Sequence, residues 1–166
     1  MNYEQITAHQ SEGALEVISF LIAGQEFCVD ISQIIEIRGW TPATPLAQAP
    51  DYVKGVISLR GVVMSVVDLS ARLGMGLMSP DERNVIIVAQ QPTGPVGLLV
   101  EAVCDTMVIK RDAIQDAQNA SGGVAPQFVV GFLPLEDRMV TVLSLDHLIP
   151  KSMPTEAEAE QAIAAA

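Results

Sequence analysis

EVISFLIAGQEFCVDISQIIEI, residues 16–37, decides the fold, because its pattern occurs twice in the chain. An apolar run closes at Gly24, and EFCVDI then alternates, with Phe27, Val29 and Ile31 on one side and Glu26, Cys28 and Asp30 on the other. A period of two with a glycine between the runs predicts a hairpin turning at Gly24 and Gln25. The strand that follows sets Ile35 and Ile37 on one face and Ile34, Glu36 and Arg38 on the opposite one, which is expected to look outward.

Shifted by 68 or 69 positions, this stretch lies over NVIIVAQQPTGPVGLLVEAVCDTMVI, residues 84–109, apolar on apolar, with Glu36 over Asp105. A shift of 76 lays GVISLRGVVMSVVDLSARL over GFLPLEDRMVTVLSLDHLI, so that Gly55 meets Gly131 and Asp68 meets Ser144. The change of offset falls in the loop around residues 110–123, where insertions are best tolerated. The shared order is hairpin, strand, strand, short helix. Two copies of about five strands predict a mainly β protein of two pseudo-symmetric five-stranded barrels with short helices, packed together because neither half holds a core of its own size.

Within the first copy, TPATPLAQAP is an extended connection shaped by three prolines. Asp68 is placed to cap a short helix over LSARL that ends at Gly74. Residues 1–14 read as a flexible arm, 15–150 as one domain with subdomains at 15–83 and 84–150 that can exchange a strand or helix, and 151–166 as a flexible or partly helical tail. QNASGGVAP reads as the most mobile internal loop.

Nine basic against twenty acidic side chains give a net charge of −11, which argues against nucleic acid and anionic membrane surfaces as partners. No run of 18 apolar residues offers a membrane span, and the N-terminus has no signal-peptide pattern, so a cytoplasmic protein without membrane insertion is expected. Cys28 and Cys104 stand apart from each other and from both histidines, so no metal site is expected, and Glu101, Asp105 and Asp112 fit no calcium loop. No cofactor fingerprint and no nucleophile motif occurs. His147, the one candidate general base, falls in a short helix and reads as a surface residue. Apolar and charged side chains on outward strand faces read as a protein-binding surface.

The combination of EIRGW, a proline-bearing loop, KGVISLRGVVMSVVDL and DRMVTVLSLDHLI resembles the CheW family, the coupling proteins of bacterial chemotaxis, from about Glu16 to Ile149. The resemblance implies two SH3-like barrels and a non-enzymatic adaptor, without cofactor or metal, that ties the cytoplasmic tips of chemoreceptors to the regulatory domain of the histidine kinase CheA in membrane-associated arrays. It carries the receptor-side positions onto Ile34, Glu36, Thr44, Gly55, Arg60 and Gly131, and suggests loops from Glu101 to Gln118 for the kinase. Arg60 is then expected to pair with Glu36 across neighbouring strands, aimed outward by a turn or bulge at Gly61.

Overall fold

Both copies of the repeat fold as alternation and turn chemistry dictate. In the computed structural model, residues 13–79, 81–116 and 124–150 are described, so the arm up to residue 12, the loop 117–123 and the tail from residue 151 lie outside the described residues. The first copy supplies β1 (Ala14–Ile22), β2 (Gln25–Asp30), β3 (Ile34–Gly39), β4 (Val53–Leu59), β5 (Val62–Asp68) and the single-turn helix α1 (Leu69–Arg72). The second supplies β6 (Val85–Gln91), β7 (Gly94–Val100), β8 (Ala102–Lys110), β9 (Val129–Pro134), β10 (Met139–Leu143) and α2 (Leu145–Leu148). The first hairpin turns one residue earlier than expected, on Ala23 and Gly24, both at positive φ as a tight two-residue hairpin loop requires.

The strands form two five-stranded sheets, ordered β8-β1-β2-β10-β9 and β3-β6-β7-β5-β4. Adding or subtracting five in each strand number converts one order into the other, so the internal repeat is also a repeat of topology. Each sheet contains one parallel contact, β2 with β10 and β7 with β5, while the other ladders are antiparallel. Neither sheet closes on itself by a continuous ladder, so closed barrels are not what the strand pairing alone displays.

Each sheet draws on both sequence halves. Hairpin β1–β2 joins β8, β9 and β10, and hairpin β6–β7 joins β3, β4 and β5. These two hairpins are apolar on both faces, and both faces are used. Ile18, Phe20, Phe27 and Val29 meet Ile87, Ala89 and Leu98 in a cluster shared by the two sheets, to which α1 and α2 add Leu69 and Leu148. Their alternate residues, Val17 and Cys28 on one hairpin and Ile86 and Val88 on the other, each join a cluster private to one sheet. Fully burying a Leu, Ile, Val or Phe side chain is worth about 1.5–3 kcal/mol, so three such clusters amply favour this exchanged pairing over two separate hairpins.

Asp68 caps α1 as its position in the sequence predicts. Its buried Oδ1 accepts from the N–H groups of Ser70 and Ala71 at 3.0 and 3.3 Å, and Oδ2 accepts from Met78 N–H at 2.8 Å. Gly74 follows at positive φ. Ser144 occupies the equivalent place before α2, but its hydroxyl meets His147 Nδ1 at 2.9 Å rather than capping the backbone.

Arg72 stands where the two halves meet. Its guanidinium lies 4.8 Å from the ring centres of both Tyr52 and Phe128, and it donates to Leu148 O at 2.9 Å and His147 O at 3.2 Å. Tyr52 and Phe128 are themselves equivalent under the 76-residue shift. One cation is thus held between two matching rings, with the last turn of α2 as its acceptor.

Candidate functional site

Of the residues expected at a site, Glu36 and Arg60 are brought together most directly. Val62 follows Leu59 after only Arg60 and Gly61, and both turn residues have positive φ, 52° and 80°. That is the backbone of a type I′ hairpin turn, for which Asn or Gly at the first position is the low-strain choice. Arginine there is a chemical choice made against the backbone preference. Its side chain is 74% exposed and puts Nη2 2.9 Å from Glu36 Oε2.

The partner carboxylate is far less exposed, at 17%, and its other oxygen is 3.2 Å from Arg38 Nη1. Arg38 is therefore a second cation on Glu36, a role not drawn from the sequence although its place two residues along the same strand was visible there. The pairing also differs from expectation in its route. β3 and β4 lie at opposite ends of their sheet order, so Arg60 reaches Glu36 between the two ends of the sheet rather than between neighbouring strands.

The outward face of β3 is corrected as well. Ile34 packs half-buried against the shared cluster and Glu36 is half-buried too, whereas Ile35 and Ile37 stand 54% and 48% exposed. The cause is local. The ladder to β6 pairs Ile34 with Ala89 and Glu36 with Val88, leaving Ile35 as an unpaired bulge residue, and a bulge re-aims the side chains around it. Val62, at the Arg60 turn, is exposed too.

Thr44 and Gly55 touch each other. The proline-bearing connection bridges back to β4, with Thr44 N–H donating to Val56 O and Val56 N–H to Thr44 O, both at 2.8 Å. Gly55 has φ +140°, and a Cβ there would fall 2.1 Å from Thr44 O. Gly131 has the same duty in the other sheet, where a Cβ would fall 2.3 Å from Gln115 O beside the bridge from Gln115 to Phe132. Gly131 thus lies outside the Glu36–Arg60 sheet, and the glycines serve close backbone approach in both copies.

The copy-two counterpart of the ion pair is absent. Asp105 stands for Glu36 and Glu136 for Arg60, two like charges. Here Arg138 instead binds Glu26 Oε1 at 2.8 Å and Asp137 Oδ1 at 3.0 Å, and these carboxylates raise its pKa. Half of the segment from Glu101 to Gln118, expected as loops, is the edge strand β8, Ala102–Lys110, which pairs with β1 on both sides of a bulge at Cys104. Residues 117 and 118 lie outside the described residues.

Other chemistry is sparse. Burial, and then the Glu26 charge, push the Cys28 thiol up to about 12, and Cys104 is raised by the same two causes in the same order. Arg83 hydrogen bonds lower the Asp81 carboxyl at the surface. Among the described residues no group of three or more His, Cys, Asp or Glu is placed to hold a metal ion, and no helix is long and apolar enough to cross a membrane. Two open cavities of about 470 and 480 Å³ lie around the shared cluster, one lined by Asp30, Gln33 and residues of β9 and β10, the other by residues beside both sheets, Ala23 and Ala102 facing Ser70, Met75 and Asn84.

The profile of the CheW-like domain matches residues 16–153. A chemotaxis protein CheW of Rhizobium meliloti (strain 1021) is 47% identical over 142 residues, covering 86% of this chain and 92% of the relative. A chemotaxis protein CheW of Klebsiella aerogenes is 31% identical, covering 81% of each chain. The crystal structure of the scaffolding protein TtCheW from Thermoanaerobacter tengcongensis superposes with a TM-score of 0.74 at 24% identity, covering 85% of this chain and 91% of that one, a likeness of fold.

Proposed function

The chain belongs to the CheW-like domain family, and on that footing we propose that it couples the cytoplasmic tips of chemoreceptors to the regulatory domain of the histidine kinase CheA. Its broader role, a non-enzymatic scaffold adaptor of chemotaxis, comes with the family. The receptor, the kinase and cytoplasmic recruitment to membrane-associated arrays are this proposal's own content.

The observation that carries the receptor side is the Arg60 guanidinium, held by Glu36 yet 74% exposed, two residues before the exposed Val62. A charge next to apolar area suits an amphipathic helix laid along the surface. The receptor surface comprises Ile34, Glu36, Thr44, Gly55 and Arg60, with Gly131 as the copy-two counterpart of Gly55. Ile34, Thr44 and the two glycines contribute by shaping the backbone. For the kinase we propose the region from Glu101 to Gln118, in which β8 is an edge strand.

We take the two sheets as pseudo-symmetric SH3-like barrels within a 15–150 domain, with repeat units at 15–83 and 84–150, an arm up to residue 14 and a tail from residue 151. In support, each sheet has a private apolar cluster drawn, among the described residues, from its own strands and their connections, as a sheet curled around its own side chains would have. The Thr44–Val56 bridge and the Glu36–Arg60 pair both span the gap between sheet ends.

The deciding experiment is a ternary kinase assay with receptor tips and CheA from the same bacterium. The chain is expected to restore receptor control of the kinase. No association with either protein, under conditions where an established member of the family binds both, sinks the proposal.

A further inference from the structure

The two copies of the repeat differ where their parallel strands end. In one sheet the pair β5–β7 runs from Ser65–Val96 through Val66–Gly97 and Val67–Leu98 to Asp68–Leu99. Its counterpart β10–β2 stops after Thr141–Phe27 and Val142–Cys28. The pairs that would continue it are Leu143 with Val29 and Ser144 with Asp30. The cavity of about 470 Å³ opens at this place, lined among others by Asp30, Val142, Leu143 and Ser144. The equivalent cleft in the other sheet, at Val66 and Leu99, holds only about 200 Å³ and is lined also by Trp40, Lys54 and Met78.

Copy one fills its cleft with its own side chains. Trp40 and Met78 pack on the private cluster of that sheet. Met78 N–H donates to Asp68 Oδ2 at 2.8 Å, and Lys54 Nζ donates to Met78 O at 3.4 Å while lying 3.6 Å from Asp68 Oδ2. The chain comes back to this place after Gly74, at φ +80°. None of the residues that do this recurs in copy two. The bridges Thr44–Val56 and Gln115–Phe132 are equivalent, which sets Arg111 in the place of Trp40. The 76-residue shift sets Val130 for Lys54, Ser144 for Asp68 and Pro150 for Gly74. A valine side chain donates nothing, the Ser144 hydroxyl is engaged with His147, and a proline held at φ of about −65° cannot repeat the Gly74 conformation.

We propose that the cleft left open in copy two receives a polypeptide segment presenting a bulky apolar side chain next to a lysine or arginine, the pair that Trp40 and Lys54 supply from within the chain in copy one. Ile114, Leu143 and Leu145 give it apolar walls, and Val130 lines it while 50% exposed. The carboxylates of Asp30, Asp116 and Asp146 outnumber the Arg111 guanidinium among its lining groups, so its field favours a cation, whose aliphatic stem can lie along the apolar wall. The inference goes beyond the kinase proposal, although Arg111 and Ile114 fall in the stretch assigned there, because it states what the cleft takes and is read without a kinase.

The test is a methyl NMR titration of the full chain with the blocked dipeptide acetyl-Lys-Trp-amide. Saturable shifts are expected at the methyl groups of Ile114, Val130 and Val142, with a Kd on the order of 1 mM for a fragment of this size. Acetyl-Glu-Trp-amide and acetyl-Lys-Ala-amide should each bind about fivefold more weakly. Arg111→Trp, which rebuilds the plug of copy one, should abolish the shifts, Val130→Lys should weaken binding about threefold, and Arg111→Lys should leave it unchanged. Both side chains are exposed, so each variant should melt like the parent. No shift at these methyl groups, equal affinity for the Glu peptide, or full binding in both Arg111→Trp and Val130→Lys overturns the inference. Peptide binding here by a chain that captures no CheA upholds it and removes the kinase proposal, whereas CheA capture with a silent cleft does the reverse.

Discussion

Arg60 Nη2 lies 2.9 Å from Glu36 Oε2 although their strands stand at opposite ends of the order β3-β6-β7-β5-β4. The sheet must curl for this to happen, so the pair reports on tertiary shape as well as on charge. An exposed ion pair of this kind is worth only about 0–1 kcal/mol. Its place at a strained turn position is therefore hard to explain by stability alone, and is what the proposed role in recognition would require.

Arg60→Asn is expected to separate stability from function. Asn accepts the left-handed conformation at φ 52° more readily, so the variant should gain about 0.5–1 kcal/mol in urea unfolding. Receptor-dependent kinase control should fall in the same variant. A stable variant with normal coupling would return the ion pair to a structural role.

Gly55→Ala should fail through the backbone. The new Cβ meets Thr44 O at 2.1 Å, and φ +140° strains any L side chain, so a loss of about 2–4 kcal/mol is expected in chemical denaturation. Gly131→Ala meets Gln115 O at 2.3 Å and should cost a similar amount. Gly39→Ala, with open space around its Cβ, is the control and should change stability by less than about 0.5 kcal/mol.

Arg72→Ala removes two ring contacts and two hydrogen bonds to α2, and should lower stability by about 2 kcal/mol. Amide exchange should accelerate first in α1 and α2, where the halves join. Uniform acceleration along all ten strands would show that Arg72 contributes only to global stability.

Alkaline pH should destabilise the fold through Cys28. The unfolded thiol releases its proton near pH 9, while the folded one keeps it until about 12. Between those values the native state binds the additional proton, so stability falls as pH rises through the window. Cys28→Ala should flatten that decline. In the native protein at pH 8, thiol titration should count the exposed Cys104 alone, with Cys28 reacting only on unfolding.

Much of the architecture was legible from residue order. Alternation located the strands, Asp68 announced the cap of α1, and the matching offsets around Glu36/Asp105 and Gly55/Gly131 exposed the repeat. LRG marked both the turn and the arginine it displays. Arg38 was visible on the same face as Glu36, but nothing in the spacing said that Glu36 would be shared between two cations.

By itself, the sequence determined which segments are strands, where they turn and that the chain is built twice, because φ/ψ preference and side-chain period are local properties. Only the tertiary structure decided which strands pair, since β1–β2 and β6–β7 are apolar on both faces and would satisfy either sheet until the shared cluster selects the exchange. It also decided that Ile35 and Ile37, rather than Ile34 and Glu36, face solvent. That outcome follows from one bulge in the ladder to β6, whose register depends on a partner strand some fifty residues away in sequence.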